Sequence, residues 1–450
     1  MKVLLVRNHD VGNVNTRLPE SLNRAQGIYP PLGIAHVASF LEQNGVDAEV
    51  LDAKALNLTS TETKERIGKA HADIVGVTAM TPNCRGALEI CKFTKEVDSH
   101  ILTVVGGPQM NVFPAETVSD PNVDVGVIGD GELAMLKLAR NFGNHKNVPR
   151  IMHGRRVLNL DSLPFPARHL LPNERYYCVI AKHPFTTMIT SRGCPFKCGF
   201  CYSLDKRVRY RSAENVVDEM EQAVEKYRFK EVMFYDDCFT LNRKRVVAVC
   251  KEIIRRKLDV CWETPTRVDL VDFGLLKLMR KAGCIRIRYG VESGDENILK
   301  VMGKGVTLKQ AEKAFEATRK ARIETFAYFI LGYIRETIDT MQKTIDFAKK
   351  LDPDWAMFTV ATPLPETRLH AEAVKHGLID ADYWRDFTLG KRSDRVPFMV
   401  PDADKWVNRA YRQFYFRPSF IAKKIGKVGS LNTLKRNLEG AWGILRFEMT

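Results

Sequence analysis

Apolar residues come in short runs separated by longer amphipathic stretches. "KVLLV" (2–6), "DAEVL" (47–51), "DIVGVT" (73–78), "ILTVV" (101–105) and "DVGVI" (124–128) are mostly Val-rich and bounded by turn residues. Such runs fit strands buried on both faces of a parallel sheet. Between them lie helical patterns, "PLGIAHVASFLEQNG", closed by Gly45, and "NCRGALEICKFTKEV". Strand alternating with helix predicts a doubly wound, Rossmann-like α/β domain over residues 1–145. Residues 146–185, with the Pro-rich "DSLPFPARHLLP", read as a connector. A second series follows: "FTTMITS" (185–191), "EVMFY" (231–235), "VCWET" (260–264), "IRIRYGVE" (285–292), "TFAYFIL" (325–331) and "WAMFTV" (355–360). Helical stretches such as "NVVDEMEQAVEKY" and "LKQAEKAFEATRKA" separate these strands. Six β/α units over 186–370 predict a partial (β/α)6 barrel, with sites at the strand C-termini. Residues 371–450 read as a basic, mainly helical region.

Composition narrows the class. A chain of 450 residues, 45% hydrophobic and 27% charged, fits two or three globular domains. No apolar run approaches the length of a membrane span. The start, "MKVLLVRNHD", reads as a strand rather than a signal peptide, so a cytoplasmic location is expected. Thiols stay reduced there, and clustered cysteines then point to metal or catalysis. The net charge of +15 is partly concentrated at the C-terminal end, where only Glu439 opposes the Arg and Lys between Arg409 and Arg446. That suits nucleic acid, a phosphorylated or carboxylated substrate, an anionic membrane surface or a solvated basic face.

The clearest chemistry is "TSRGCPFKCGFCYS" (190–203). Cys194, Cys198 and Cys201 stand in eight residues, directly after the first strand of the second series. A structural zinc site takes four ligands, so a zinc knuckle here needs a remote fourth one. Three thiolates on a [4Fe–4S] cluster leave one iron open to a small molecule. Gly193 and Gly199 let such a loop wrap closely.

Cys-x-x-x-Cys-x-aromatic-Cys, with Phe200 as the aromatic, resembles the signature of radical S-adenosylmethionine (SAM) enzymes. The resemblance implies that the open iron chelates SAM and that an electron from the cluster cleaves it to a 5′-deoxyadenosyl radical. It also implies an external electron donor such as flavodoxin or ferredoxin. Further matches follow in order. Asp236 and Asp237 end the second barrel strand, Arg267 and Asp269 follow the third, and Glu292 and Ser293 end the fourth. "FILGYIRET" resembles the turn that approaches adenine, through Gly332, but carries Arg335 where Gly is common. The resemblance makes Phe200, Asp236, Asp237, Arg267, Glu292, Ser293 and Gly332 the expected SAM contacts. Cys238 is a candidate to face substrate at the barrel mouth.

The first domain, with "VGVTAMTP" and "VVGGPQMNVFPAE", resembles the cobalamin-binding class of these enzymes. Thr78, Thr81, Gly106, Gly107 and Gly129 at its strand ends are then expected around cobalamin. His9 and Gly12 echo an axial-ligand motif, but Arg7 replaces its Asp, so His9 is not expected to ligate cobalt. The whole resembles a cobalamin-dependent radical SAM methyltransferase acting on carbon of a small molecule or lipid. "FYFRPSFIAKKI" is as close to anaerobic tetrapyrrole cyclases. A tRNA methylthiotransferase would need three N-terminal cysteines, and only Cys84 and Cys91 are present, so nucleic acid is not the expected partner. A non-enzymatic cobalamin or iron–sulfur sensor would need no SAM site. Peripheral membrane contact through the basic C-terminal region and closure of the barrel by the same region are the two roles expected for it.

Overall fold

The computed structural model describes residues 1–9, 27–142, 148–203, 205–393 and 395–425. They form two compact units, each described by itself.

The first unit holds the predicted strands as β1 (Lys2–Arg7), β2 (Asp47–Asp52), β3 (Ile74–Thr78), β4 (Leu102–Gly106) and β5 (Val125–Ile128). A sixth, β6 (Ile151–His153), lies in the stretch read as a connector. All are parallel, in the order β2-β1-β3-β4-β5-β6. The order reverses beside β1, which opens a crevice at the strand C-termini between β1 and β3. The helices are α1 (Leu32–Gln43), α2 (Ser60–Ala70), α3 (Cys84–Val97), the short α4 (Gln109–Val112) and α5 (Pro114–Val118), and α6 (Gly131–Arg140). Thr59 and Glu62 cap α2 reciprocally. Val6, Val75, Val77, Ala87, Ile90, Val105 and Met110 share one core.

Two boundaries differ from the sequence expectation. The described connector residues up to Tyr176 belong to this unit: Ala167 N donates to Ala35 O at 3.0 Å, and the Tyr176 hydroxyl donates to buried Asp52 at 3.0 Å. Asp380–Arg395 also belongs to it. There the Thr388 hydroxyl accepts from Gln109 Nε2 at 3.1 Å, and Arg385 pairs with Glu116 at 3.1 Å. Pattern alone hid both, because these segments gain their apolar cover only from a sheet distant in sequence.

In the second unit β7 (Phe185–Met188), β10 (Glu231–Phe234), β11 (Cys261–Thr266), β12 (Cys284–Glu292), β13 (Glu324–Leu331) and β14 (Trp355–Val360) make one parallel sheet. The strands pair in chain order, with β7 and β14 as its edges, as a partial barrel requires. Two short strands, β8 (Ser191–Arg192) and β9 (Arg209–Tyr210), pair antiparallel after β7. The helices between strands are α7 (Ala213–Glu225), α8 (Arg243–Arg256), α9 (Phe273–Lys281), α10 (Glu296–Met302), α11 (Leu308–Lys320) and α12 (Ile338–Leu351). After β14 come α13 (Arg368–Lys375), the first unit's α14 (Tyr383–Thr388), α15 (Ala403–Tyr415) and α16 (Pro418–Ile425).

Alternate residues of β12 face opposite ways. Tyr289 turns outward to Phe315 and Thr318 of α11. Arg286 turns inward at the strand N-termini, to Glu263, Glu231 and Glu324. The C-terminal helices close one edge. The Tyr411 hydroxyl accepts from Phe358 N at 3.2 Å. The Tyr415 hydroxyl accepts from Ala356 N at 3.0 Å and donates to Ala356 O at 2.7 Å. Two phenols thus satisfy backbone groups that an edge strand leaves open. Tyr411, Phe414 and Phe420 are buried in this way, which is the closure arrangement for the described part. The basic stretch beyond Ile425 lies outside the described residues. Among the described residues no helix is long and apolar enough to cross a membrane.

Candidate functional site

The Cys194–Cys201 loop hangs from β7 and is shut at its base by the β8–β9 pair. Gly193 has φ +103°, and a Cβ there would meet Asp205 O at 2.8 Å, so only glycine fits. Cys194 N donates to the same Asp205 O at 2.8 Å. Gly199 N donates to Met302 O at 2.7 Å, and Gly199 O accepts from Leu369 N at 2.8 Å, which fixes the loop to the end of α10 and the start of α13. The three thiols are free of disulfides and lie within each other's electrostatic reach. Burial, then the charges of Cys198, Asp237 and Cys194, raise the Cys201 thiol to about 11.

The paired acids after β10 play different parts. Asp236 is 3% exposed and takes four donors: Thr190 N at 2.6 Å, Ser191 N at 3.2 Å, and the hydroxyls of Thr190 at 2.5 Å and Ser191 at 2.7 Å. It pins the end of β7 and has little capacity left for a ligand. Asp237 is exposed and, among the described residues, accepts only Gly193 N, at 3.2 Å. Cys238 is 2% exposed beside Thr266, 3.8 Å from its hydroxyl, so the thiol expected to face substrate is enclosed in the wall.

At the end of β12 the ladder shifts register between Gly290 and Glu292, and Glu292 adopts φ +70°. A bulge of this kind re-aims a side chain, and strain of this kind gathers at sites. Glu292 meets Lys304 Nζ at 2.6 Å, both side chains 8% exposed. Burial lowers the Lys304 ammonium, but Glu292 and then Cys198 more than offset this and hold it above its usual value. Lys304 lies 5.7 Å from the Phe200 ring centre. The sequence hides this lysine, which sits between two glycines in "MGKGV" like any solvated turn residue. Arg267 stacks 3.8 Å over Phe196 and grips Asp269 at 2.9 and 3.0 Å. Its buried Nη1 has no hydrogen-bond partner. Ser293 is fully buried against Thr344 at 3.2 Å and shapes the turn into α10. Gly332 has φ +73°, and a Cβ there would strike Ala403 at 2.5 Å. Arg335, exposed, has φ +71°, which explains why glycine suits its position. Between them Tyr333 N donates to Glu336 at 2.8 Å; burial raises that carboxyl to about 7.

In the first unit Thr78 and Gly106 end β3 and β4. Gly107 has φ +93° and sits against Ala79 O at 2.7 Å from a would-be Cβ. A Cβ on Gly106 would meet nothing within 4 Å, so the backbone is open there. Gly129 is exposed, while Thr81 is buried. His9 is buried, 3.4 Å from the Ser60 hydroxyl and 3.7 Å from Glu89. Arg7 reaches Tyr29 O at 2.7 Å and Asp52 at 3.4 Å.

These donor sets suit the expected groups. A stapled loop of three free thiols suits a cluster with one iron left for a small molecule. Among the described residues no three His, Cys, Asp or Glu side chains close around a single ion, but cluster thiolates each hold a different iron. The unpartnered Arg267 Nη1 suits a ligand carboxylate. The open Gly106 backbone and positive-φ Gly107 suit a large cofactor laid on the strand ends.

The Radical SAM superfamily pattern matches residues 188–348, and the B12 binding domain pattern matches residues 22–139. An uncharacterised methyltransferase of Pyrococcus horikoshii is 34% identical, over 88% of this chain and 90% of its own. The anaerobic magnesium-protoporphyrin IX monomethyl ester cyclase of Rubrivivax gelatinosus is 30% identical, over 88% and 75%. Among solved structures, the radical SAM methyltransferase TsrM of Kitasatospora setae, with cobalamin and a [4Fe–4S] cluster, has a TM-score of 0.71 at 17% identity, over 99% of this chain and 98% of its own. The chain belongs to the radical SAM superfamily, in the group that joins a B12-binding domain to the barrel, and its cofactors are a [4Fe–4S] cluster, SAM and cobalamin.

Proposed function

We propose that this chain methylates an unactivated carbon of a small-molecule substrate. The observation that carries the reading is one chain holding both the three-thiol loop at the barrel's strand ends and a glycine-lined strand edge in a B12-binding unit. When bound, the cluster and SAM supply a hydrogen-abstracting radical, and cobalamin supplies the methyl group. The chain's own residues hold and orient. Cys194, Cys198 and Cys201 carry the cluster. Arg267, through its spare Nη1, receives the SAM carboxylate, and Glu292, aimed by the bulge and held by Lys304, takes the ribose. The turn from Gly332 to Glu336 lies along the adenine, and Asp237 is the acid of its pair that remains available to the amino group. Thr78, Gly106, Gly107 and Gly129 line the cobalamin.

Ring formation or oxidation is the second reading, favoured by the cyclase of Rubrivivax gelatinosus at 30% identity. The products separate the two. Methylation consumes one SAM as radical source and one as methyl donor, so 5′-deoxyadenosine and S-adenosylhomocysteine appear in equal amounts. Ring formation gives 5′-deoxyadenosine alone. The anaerobic protein, reduced by flavodoxin or a chemical donor and supplied with fractionated cell metabolites, should yield both in step with a new methylated product. Substrate-dependent 5′-deoxyadenosine without S-adenosylhomocysteine would overturn the methylation reading. Closure of β14 by Tyr411 and Tyr415 supports a structural role for the C-terminal helices up to Ile425.

A further inference from the structure

Met80 stands out in the first unit. It follows β3 at the crevice beside β1, and it is 53% exposed, although long apolar side chains are usually covered. Its exposure is built in rather than loose. Met80 N donates to Asn83 Oδ1 at 2.7 Å, and Asn83 O accepts from Asn8 Nδ2 at 3.2 Å, which ties the turn to the end of β1. Ala79, just before it, is locked to β4, with Ala79 N donating to Gly106 O at 2.8 Å and Ala79 O accepting from Gln109 N at 3.0 Å. The neighbouring strand end, Gly106, has open space where a Cβ would be. A rigidly placed thioether residue therefore stands beside an open strip at the edge where doubly wound sheets bind their ligands.

The nearby imidazole is turned elsewhere. His9 is buried, 3.4 Å from Ser60 and 3.7 Å from Glu89, on the helices beside β1.

We propose that Met80 lies under the corrin ring, on the cobalt face turned toward the protein, and covers that face with an apolar side chain in place of a histidine nitrogen. This rests on the cobalamin reading of the first unit. Its chemical sense is direct. A thioether is a soft, weak donor, so the cobalt keeps a vacant or weakly held lower position.

The test uses the whole chain, grown on nitrogen-15, loaded with hydroxocobalamin, reduced to cobalt(II) and read by electron paramagnetic resonance. A protein nitrogen on cobalt splits each cobalt line into a doublet, whereas the cofactor's own nitrogen-14 base gives triplets. Wild type should show no doublets. Met80→His should show them, because an imidazole then stands where the thioether stood. Met80→Ala should bind cobalamin roughly tenfold more weakly, because the corrin no longer buries an apolar side chain beneath it. Doublets in wild type, or a loaded Met80→His protein without them, would overturn the placement. So would unchanged affinity in Met80→Ala. Wild-type protein that takes up no cobalamin would instead sink the cofactor reading on which the placement depends, and the placement with it.

Discussion

Removing Arg286 should destabilise the barrel strongly, and more so at high pH. The guanidinium sits at the strand N-termini among three acids, 2.5 Å from Glu263, 3.3 Å from Glu231 and 3.0 Å from Glu324, and donates to Ile180 O at 2.8 Å. Glu231 and Glu263 are fully enclosed. Arg286→Met fills similar volume but leaves Glu231 without its buried ion-pair partner and Glu263 with Arg288 alone, at 3.4 Å. Losing one partner of a buried ion network costs about 3–5 kcal/mol. The lower end applies, since Glu324 is half exposed and Glu231 can take up a proton. Burial, with Glu263 beside it, raises Glu231 from 4.5 to about 7 even with Arg286 present. A carboxyl raised on folding contributes stability that is full below its unfolded value near 4.5 and is lost as pH rises through about 7. Without Arg286 that window moves higher, so the variant's deficit should be greater at pH 8 than at pH 5.5. About 3 kcal/mol at pH 8 corresponds to a fall of roughly 10 °C in the melting temperature of a unit of this size. Scanning calorimetry of the full chain at both pH values reads this. A fall under 2 °C at pH 8, or an equal fall at both pH values, would refute the reasoning.

Three shorter expectations follow from the same structure. Tyr411→Phe with Tyr415→Phe should cost about 2 kcal/mol and speed amide exchange at Ala356 and Phe358, since the edge of β14 loses its hydroxyl partners; unchanged exchange would count against that role. Arg335→Gly should stabilise the barrel by about 0.5 kcal/mol, because relief of the left-handed backbone outweighs the greater unfolded-state freedom of glycine, and a loss on chemical denaturation would contradict this. His9→Ala should leave the visible spectrum of bound cobalamin unchanged, and a shifted spectrum would make His9 a ligand.

Much of this architecture was legible in the sequence because buried parallel strands write themselves as short apolar runs. Each predicted strand lies within two or three residues of an observed one, and the cysteine spacing located the loop. Side-chain allegiance was harder to read. Asp236 and Asp237 are chemically alike in sequence, yet one is consumed by four donors from β7 and its exit while the other stays exposed. Ser293, an expected SAM contact, lies fully buried against Thr344. Lys304 left no signal, because its burial depends on Glu292 bending into a left-handed conformation. β6 and the return of Asp380–Arg395 to the first unit depend on partners far along the chain, which local pattern cannot carry.

Metal content tests the central claim, two cofactors on separate parts of one chain, most directly. Anaerobically reconstituted wild-type protein should contain about four irons per chain and one cobalamin. The Cys194→Ala, Cys198→Ala, Cys201→Ala triple variant should lose the iron and SAM cleavage while keeping the cobalamin. A triple variant that retains its iron, or a wild-type protein that binds iron but never cobalamin, would contradict the account.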